Sequence, residues 1–139
     1  MSSVFTKIIA GDLPGHFVWK DDVCVGFLSI NPIAPGHTLI IPRLEVDHWL
    51  DLPHDINSLL VKVAQVIGRG QMGAFNPLRI GMIIAGLEVP HTHLHIIPMN
   101  SMEDLDFTNA ATTEDHSVLA FNAEKIKIAL ESNGIATGT

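Results

Sequence analysis

Three histidines occupy alternate positions in the segment Pro90-His91-Thr92-His93-Leu94-His95-Ile96-Ile97-Pro98. An imidazole with an ordinary pKa near 6.5 is mostly neutral at pH 7 and offers a nitrogen lone pair, to a proton, an electrophile or a metal ion. Along a strand, side chains alternate between faces at about 3.3 Å per residue, so His91, His93 and His95 share one face with Cβ atoms roughly 7 Å apart. Thr92, Leu94 and Ile96 take the other face, and because Leu94 and Ile96 need a core, the histidine stripe is predicted to look at solvent or into a cleft. Three readings stay open on this pattern alone. The rings are merely tolerated on a half-exposed strand; two of them join a third ligand around zinc; or an imidazole acts as general base or nucleophile toward phosphorus. A zinc site using all three is awkward, since their Cβ atoms spread over roughly 13 Å of straight strand.

The elements that must carry this stripe follow from periodicity and turn residues. His16–Lys20 and Val23–Ser29 read as a hairpin around Asp21-Asp22, and His37–Ile41 as a third strand stopped by Pro42. From Asp55 onward Leu59, Leu60, Val63, Val66, Ile67 and Gly70 recur at helical spacing, with Asp51 or Asp55 as the N-cap. Leu78–Ile84 and Thr92–Ile97 are predicted as the fourth and fifth strands. A polar surface loop over Asn100–Thr113 and a helix over Asp115–Ser132, with Val118, Ala123, Ile126 and Leu130 inward, complete the chain. The fold class is α+β, an antiparallel sheet of about five strands with two helices, in one domain over residues 1–139.

Composition narrows the function classes. The chain has 139 residues, 47% of them hydrophobic, yet no apolar run approaches the roughly 20 residues of a membrane span. Its start resembles no signal peptide, so a cytoplasmic address and no membrane partner are expected. Against 15 acidic residues stand 8 basic ones, a net charge of -7 without a Lys/Arg cluster, which argues against long nucleic acid as a partner. Cys24 is the only cysteine, so it forms no internal disulfide and no thiolate zinc cage. It is expected to be a small buried hydrophobe.

Three segments in order, VFTKIIAGDLPGHFVWKDD, FLSINPIAPGHTLIIPR and AGLEVPHTHLHIIP, resemble the histidine triad (HIT) family, whose signature alternates histidine with apolar residues. The resemblance is to the nucleotide phosphoramidase-like branch. It implies a HIT fold whose sheet continues across a homodimer, and a purine nucleotide or nucleotide conjugate as the bound partner. It also implies hydrolysis through a covalent nucleotidyl-histidine intermediate, with no cofactor and no metal needed. On this resemblance His93 is the nucleophile, steadied through the backbone carbonyl of His91. His95 faces the phosphate or leaving group, and His37 is the family's fourth histidine. Val4, Phe5, Ile8, Phe27 and Ile30 match apolar positions that sandwich the purine. Read without the resemblance, each of these is simply core.

Several positions depart from the family pattern. Glu88 stands where many relatives carry serine beside the phosphate, and a carboxylate there repels phosphate unless protonated or turned away. Ser29 replaces the Asp or Asn that holds the ribose hydroxyls, the connection RIGMIIAG is about three residues short, and the asparagine near the α-phosphate has no counterpart. Ser3 and Thr6 occupy the positions of a Cys-x-x-Cys that binds structural zinc in some bacterial relatives. His48 and His54 are expected on a polar surface loop. These departures keep two alternatives open: a catalytically weak nucleotide-binding or regulatory module, and a dinucleoside polyphosphate hydrolase.

Overall fold

The computed structural model describes residues 2–112 and 114–139. Thr113, the last residue of the expected surface loop, lies outside them. The chain runs α1 (Val4–Ala10), β1 (Phe17–Lys20), β2 (Cys24–Leu28), β3 (Thr38–Pro42), α2 (His54–Phe75), β4 (Arg79–Ile83), β5 (Leu94–Met99) and α3 (His116–Ser132), with short 3-10 turns between. The five strands form one sheet in the order β1-β2-β3-β5-β4, with every neighbouring pair antiparallel. Because β3 and β5 are neighbours, the middle of the sheet joins segments far apart in sequence, and that brings His37 beside His95.

The strands alternate between two apolar layers, as a two-sided sheet requires. Cys24, Leu28, Ile40, Leu94 and Ile96 pack with Leu60, Val63, Ile67, Leu119, Ile126 and Leu130 of α2 and α3. On the opposite face Val25, Phe27, Leu39 and Ile41 pack with Phe5 of α1. Burial pushes the Cys24 thiol up to about 12, so it stays protonated and inert within the first layer.

Several expectations are corrected. Periodicity predicts two helices and the chain forms three, since the apolar opening is a seven-residue helix. Ser3 caps it by accepting from the Thr6 amide, and Gly11 closes it in the left-handed region. Neither Asp51 nor Asp55 caps α2: Pro53 precedes its first turn, Asp51 ends a separate 3-10 turn and Asp55 lies inside the helix. Val118 is exposed and Leu119 takes its inward place, one residue along the helix. His54 opens α2 instead of lying in a loop. The segment after β5 winds through two 3-10 turns, Met102–Leu105 and Phe107–Asn109, and returns to the loop after β2: the Asn31 amide donates to the Ala111 and Thr112 carbonyls, and the Ala111 N–H to Pro32.

Two interactions set the start of β3, where His37 sits. Gly36 has φ +86°, and a Cβ there would stand 2.3 Å from the Phe75 ring, so only glycine fits. Gln71, fully buried on α2, donates to the Gly36 and Ile96 carbonyls, each at 2.9 Å. It ties the helix to the residues next to His37 and His95.

Candidate active site

β5 begins at Leu94, so His91 and His93 lie in the irregular segment leading into it. That segment is held by the Thr92 N–H and hydroxyl, both donating to Val46 O. The His93 Nδ1 lies 2.8 Å from the carbonyl of His91. A carbonyl only accepts, so Nδ1 carries the proton and Nε2 keeps its lone pair. Burial lowers the His93 pKa, partly offset by the hydrogen bond to the His91 carbonyl and by the nearby negative charge of Glu88. The neutral form is thereby favoured below the usual imidazole range.

The same accounting fixes a second ring. The Ile33 N–H donates to His37 Nδ1 at 3.1 Å, so a neutral His37 holds its proton on Nε2, 2.9 Å from His95 Nδ1. His95 must then accept at Nδ1 and present Nε2–H outward. Burial, followed by the neighbouring histidines, pushes His37 down to about 4 and His95 to about 3. The His93 and His95 rings stand 4.8 Å apart edge-on. One offers a lone pair and the other a donor, the pair of functions needed around a phosphoryl group.

His91 does not open into this space. Its Nε2 donates to the Pro42 carbonyl at 2.8 Å, and its Nδ1 accepts from the Ser3 hydroxyl at 2.7 Å. Glu45 completes the cluster, accepting from the Thr6 hydroxyl at 2.6 Å and the Ser3 N–H at 2.7 Å. Those donors hold the Glu45 carboxyl down to about 2. The positions matched to a zinc-binding Cys-x-x-Cys are thus filled by a hydrogen-bonded cluster joining α1 to the histidine segment. Among the described residues, no group of three or more His, Cys, Asp or Glu side chains is placed to hold a metal ion.

The other matched positions divide by burial. Phe5 and Phe27 are buried and meet edge-on at 5.7 Å, and Phe5 also meets His93 at 4.8 Å. Ile8 packs half-buried against them. Val4 and Ile30, at 43% and 58% exposure, lie on the surface and not in the core. Ser29 is buried, its hydroxyl accepting from the Asn31 N–H. Glu88 is exposed on the loop before the triad.

Two features were not legible as site residues. His48, whose ring nitrogen caps a 3-10 turn, lines with Asp47, Trp49, Ile84, Gly86 and His93 a cavity of about 110 Å³. Phe107 packs on His95 with ring centroids 4.9 Å apart. A lone aromatic in a polar stretch was the only trace of it in the sequence.

Residues 10–102 match the family model for the HIT domain. The chain belongs to the histidine triad family. An uncharacterized HIT-like protein of Borreliella burgdorferi is 36% identical over 105 residues, covering 68% of this chain and 73% of its own length. An adenylylsulfatase of Arabidopsis thaliana is 34% identical over 107 residues, 73% of this chain and 54% of that protein. An adenosine 5'-monophosphoramidase of Saccharomyces cerevisiae is 31% identical over 96 residues, 68% of this chain and 61% of that protein. Among solved structures, a zinc-bound histidine triad family protein of Mycobacterium smegmatis superposes with a TM-score of 0.82 at 26% identity, covering 96% of both chains. The HIT fold of this chain therefore stands on both its sequence and its backbone. No helix among the described residues is long and apolar enough to cross a membrane.

Proposed function

We propose that this HIT protein hydrolyses a purine nucleoside phosphoramidate or related adenylylated compound through a nucleotidyl-histidine intermediate on His93. The observation that carries the reading is the 2.8 Å contact between His93 Nδ1 and the His91 carbonyl, which leaves Nε2 as the free nucleophilic nitrogen. Nε2 attacks the α-phosphorus, the bond to the leaving group breaks, and the leaving group departs with the electron pair. His95, kept neutral by burial, donates a hydrogen bond from Nε2–H to the developing charge and is not itself the proton source at pH 7. Water then attacks the phosphorus from the side the leaving group vacated, one of its protons goes to the departed leaving group, and the electron pair of the bond to His93 returns to Nε2. Phe5, Phe27 and Ile8 supply the apolar slot for the base, Val4 and Ile30 its rim, and the Ser29 hydroxyl the ribose contact.

The yeast and plant relatives, named for hydrolysis of adenosine conjugates, support this class of reaction. The edge strand β4, with Met82 exposed beside an apolar groove on α2, supports pairing with a second copy into a homodimer.

The test is to incubate the protein with a panel of adenosine and guanosine phosphoramidates, dinucleoside polyphosphates and adenylyl sulfate, quench in base, and seek a nucleotidyl adduct by mass spectrometry. An adduct on His93, lost in His93→Ala together with turnover, is the expected result. Native turnover by His93→Ala would overturn the mechanism. A second reading, a nucleotide-binding module with little catalysis, is favoured by the exposed carboxylate of Glu88 beside the nucleophile; tight nucleotide binding with no turnover of any conjugate would establish it.

A further inference from the structure

His93 forms one wall of a cavity of about 110 Å³, several times the ~10–15 Å³ that a single water needs. The side-chain donors around it can be counted one by one. Thr92 spends its hydroxyl on the Val46 carbonyl at 2.9 Å. The Trp49 indole N–H is committed to Asn57 Oδ1 at 2.8 Å. His93 has its only proton on Nδ1, held by the His91 carbonyl. Asp47 contributes acceptors alone, the Ile84 and Ala85 side chains are apolar, and no Lys or Arg lines the space. One side-chain donor is left, and it belongs to His48.

The tautomer of His48 is set by its own local turn. The Leu50 N–H donates to His48 Nδ1 at 3.1 Å, capping the 3-10 turn Trp49–Asp51. A neutral ring that accepts at Nδ1 carries its proton on Nε2. Among the described residues that Nε2–H makes no hydrogen bond, so the cap orients the ring and leaves the proton unused. A donor oriented in advance costs little further ordering when a ligand arrives. Displacement at phosphorus spreads negative charge over the non-bridging oxygens, and a preset N–H aimed at them lowers the barrier more than a mobile one. With no cation on the cavity wall, an oxygen of a phosphoryl group bound to His93 finds its side-chain donor there in His48.

We propose that His48 is a phosphoryl-binding residue, donating from Nε2–H to a non-bridging oxygen of the α-phosphate in the bound conjugate and in the nucleotidyl group on His93. The covalent part of this statement rests on the hydrolase reading above. His48 keeps its proton throughout, so the contact is a hydrogen bond and not an acid step.

The test uses His48→Asn and His48→Gln. Asparagine is a good N-cap and preserves the turn, but it is too short to place an N–H where the imidazole Nε2 stands. Glutamine is long enough to restore that donor. Each full-length variant is melted, titrated with AMP and with adenosine, and assayed on an adenosine phosphoramidate with detection of the adduct on His93. His48→Asn is expected to keep its Tm and its affinity for adenosine, and to bind AMP about tenfold more weakly, the effect of one hydrogen bond to a charged oxygen. Its kcat should fall about hundredfold, as when one preset donor is removed from a charge-stabilising site. His48→Gln should recover part of both losses. Native AMP affinity or native kcat in folded His48→Asn would overturn the proposal. Equal weakening of AMP and adenosine would overturn it too, since the base slot and not the phosphate contact would then have changed. If the native protein forms no adduct on His93, the hydrolase reading falls, while the comparison of AMP with adenosine still decides whether His48 holds the phosphate.

Discussion

His37 Nε2 lies 2.9 Å from His95 Nδ1, and His37 Nδ1 accepts from the backbone N–H of Ile33. A backbone amide therefore dictates, through one buried imidazole, which nitrogen of the next keeps its proton and is left free of a protein partner. Removing His37 frees both the tautomer and the orientation of His95. His37→Ala is expected to lower kcat on a phosphoramidate roughly hundredfold, the cost of a catalytic group displaced by about 1 Å, with KM changed far less. His37→Gln, which still offers an amide donor, should recover part of it. A thermal melt of each variant separates this from unfolding, and an unchanged kcat in folded His37→Ala would refute the relay.

Stability should depend on pH through the same rings. In the unfolded chain both titrate near 6.5. In the folded protein burial holds His37 down to about 4 and His95 to about 3. Between those values the unfolded state binds more protons, so stability rises with pH there and is lost as pH falls from about 6.5 through 4 to 3. Tm is expected to drop by roughly 10 °C between pH 7 and pH 5, and less in His37→Asn/His95→Asn. A flat Tm over that range would contradict the burial of these imidazoles in neutral form.

Ser3, Thr6, Glu45 and His91 already converge. The His91 Nδ1 is 2.7 Å from Ser3 Oγ, 3.4 Å from Thr6 Oγ1 and 4.0 Å from the Glu45 carboxylate, and its lone pair points into the cluster. With Ser3→Cys/Thr6→Cys, two thiolates, a carboxylate and an imidazole would surround one point, a tetrahedral set suited to zinc. The double variant is expected to purify with about one zinc per chain and to lose several degrees of Tm on chelation, while the native protein is unmoved by chelator. Metal-free double variant after refolding with zinc would show that the four donors do not meet.

Much of the architecture was legible because strands and long helices write their burial into periodicity. The β-branched apolar run Thr38–Ile41, stopped by Pro42, and the helical spacing of Leu60, Val63 and Ile67 mark β3 and α2 in the sequence itself. Elements set by a few local bonds were not legible. The seven residues of α1 are too few for a periodic signal, and the α2 N-terminus lacks the side-chain cap that its neighbouring aspartates suggested.

At the site, the sequence by itself determined which imidazoles are present and, through the flanking segments, the family to which the chain belongs. Only the tertiary structure decided what each nitrogen can do. The proton on His93 is placed by the His91 carbonyl, but that on His95 depends on His37, 58 residues away and joined to it by the β3–β5 pairing, and through His37 on the Ile33 N–H. His91 looked like a member of an open stripe, yet its ring is fully buried under Ser3, in a segment that becomes a strand only at Leu94. Phe107 reaches His95 because Asn31 ties two loops together. Hydrogen-bond roles and ring contacts of this kind are settled by long-range pairing, which leaves no period in the chain.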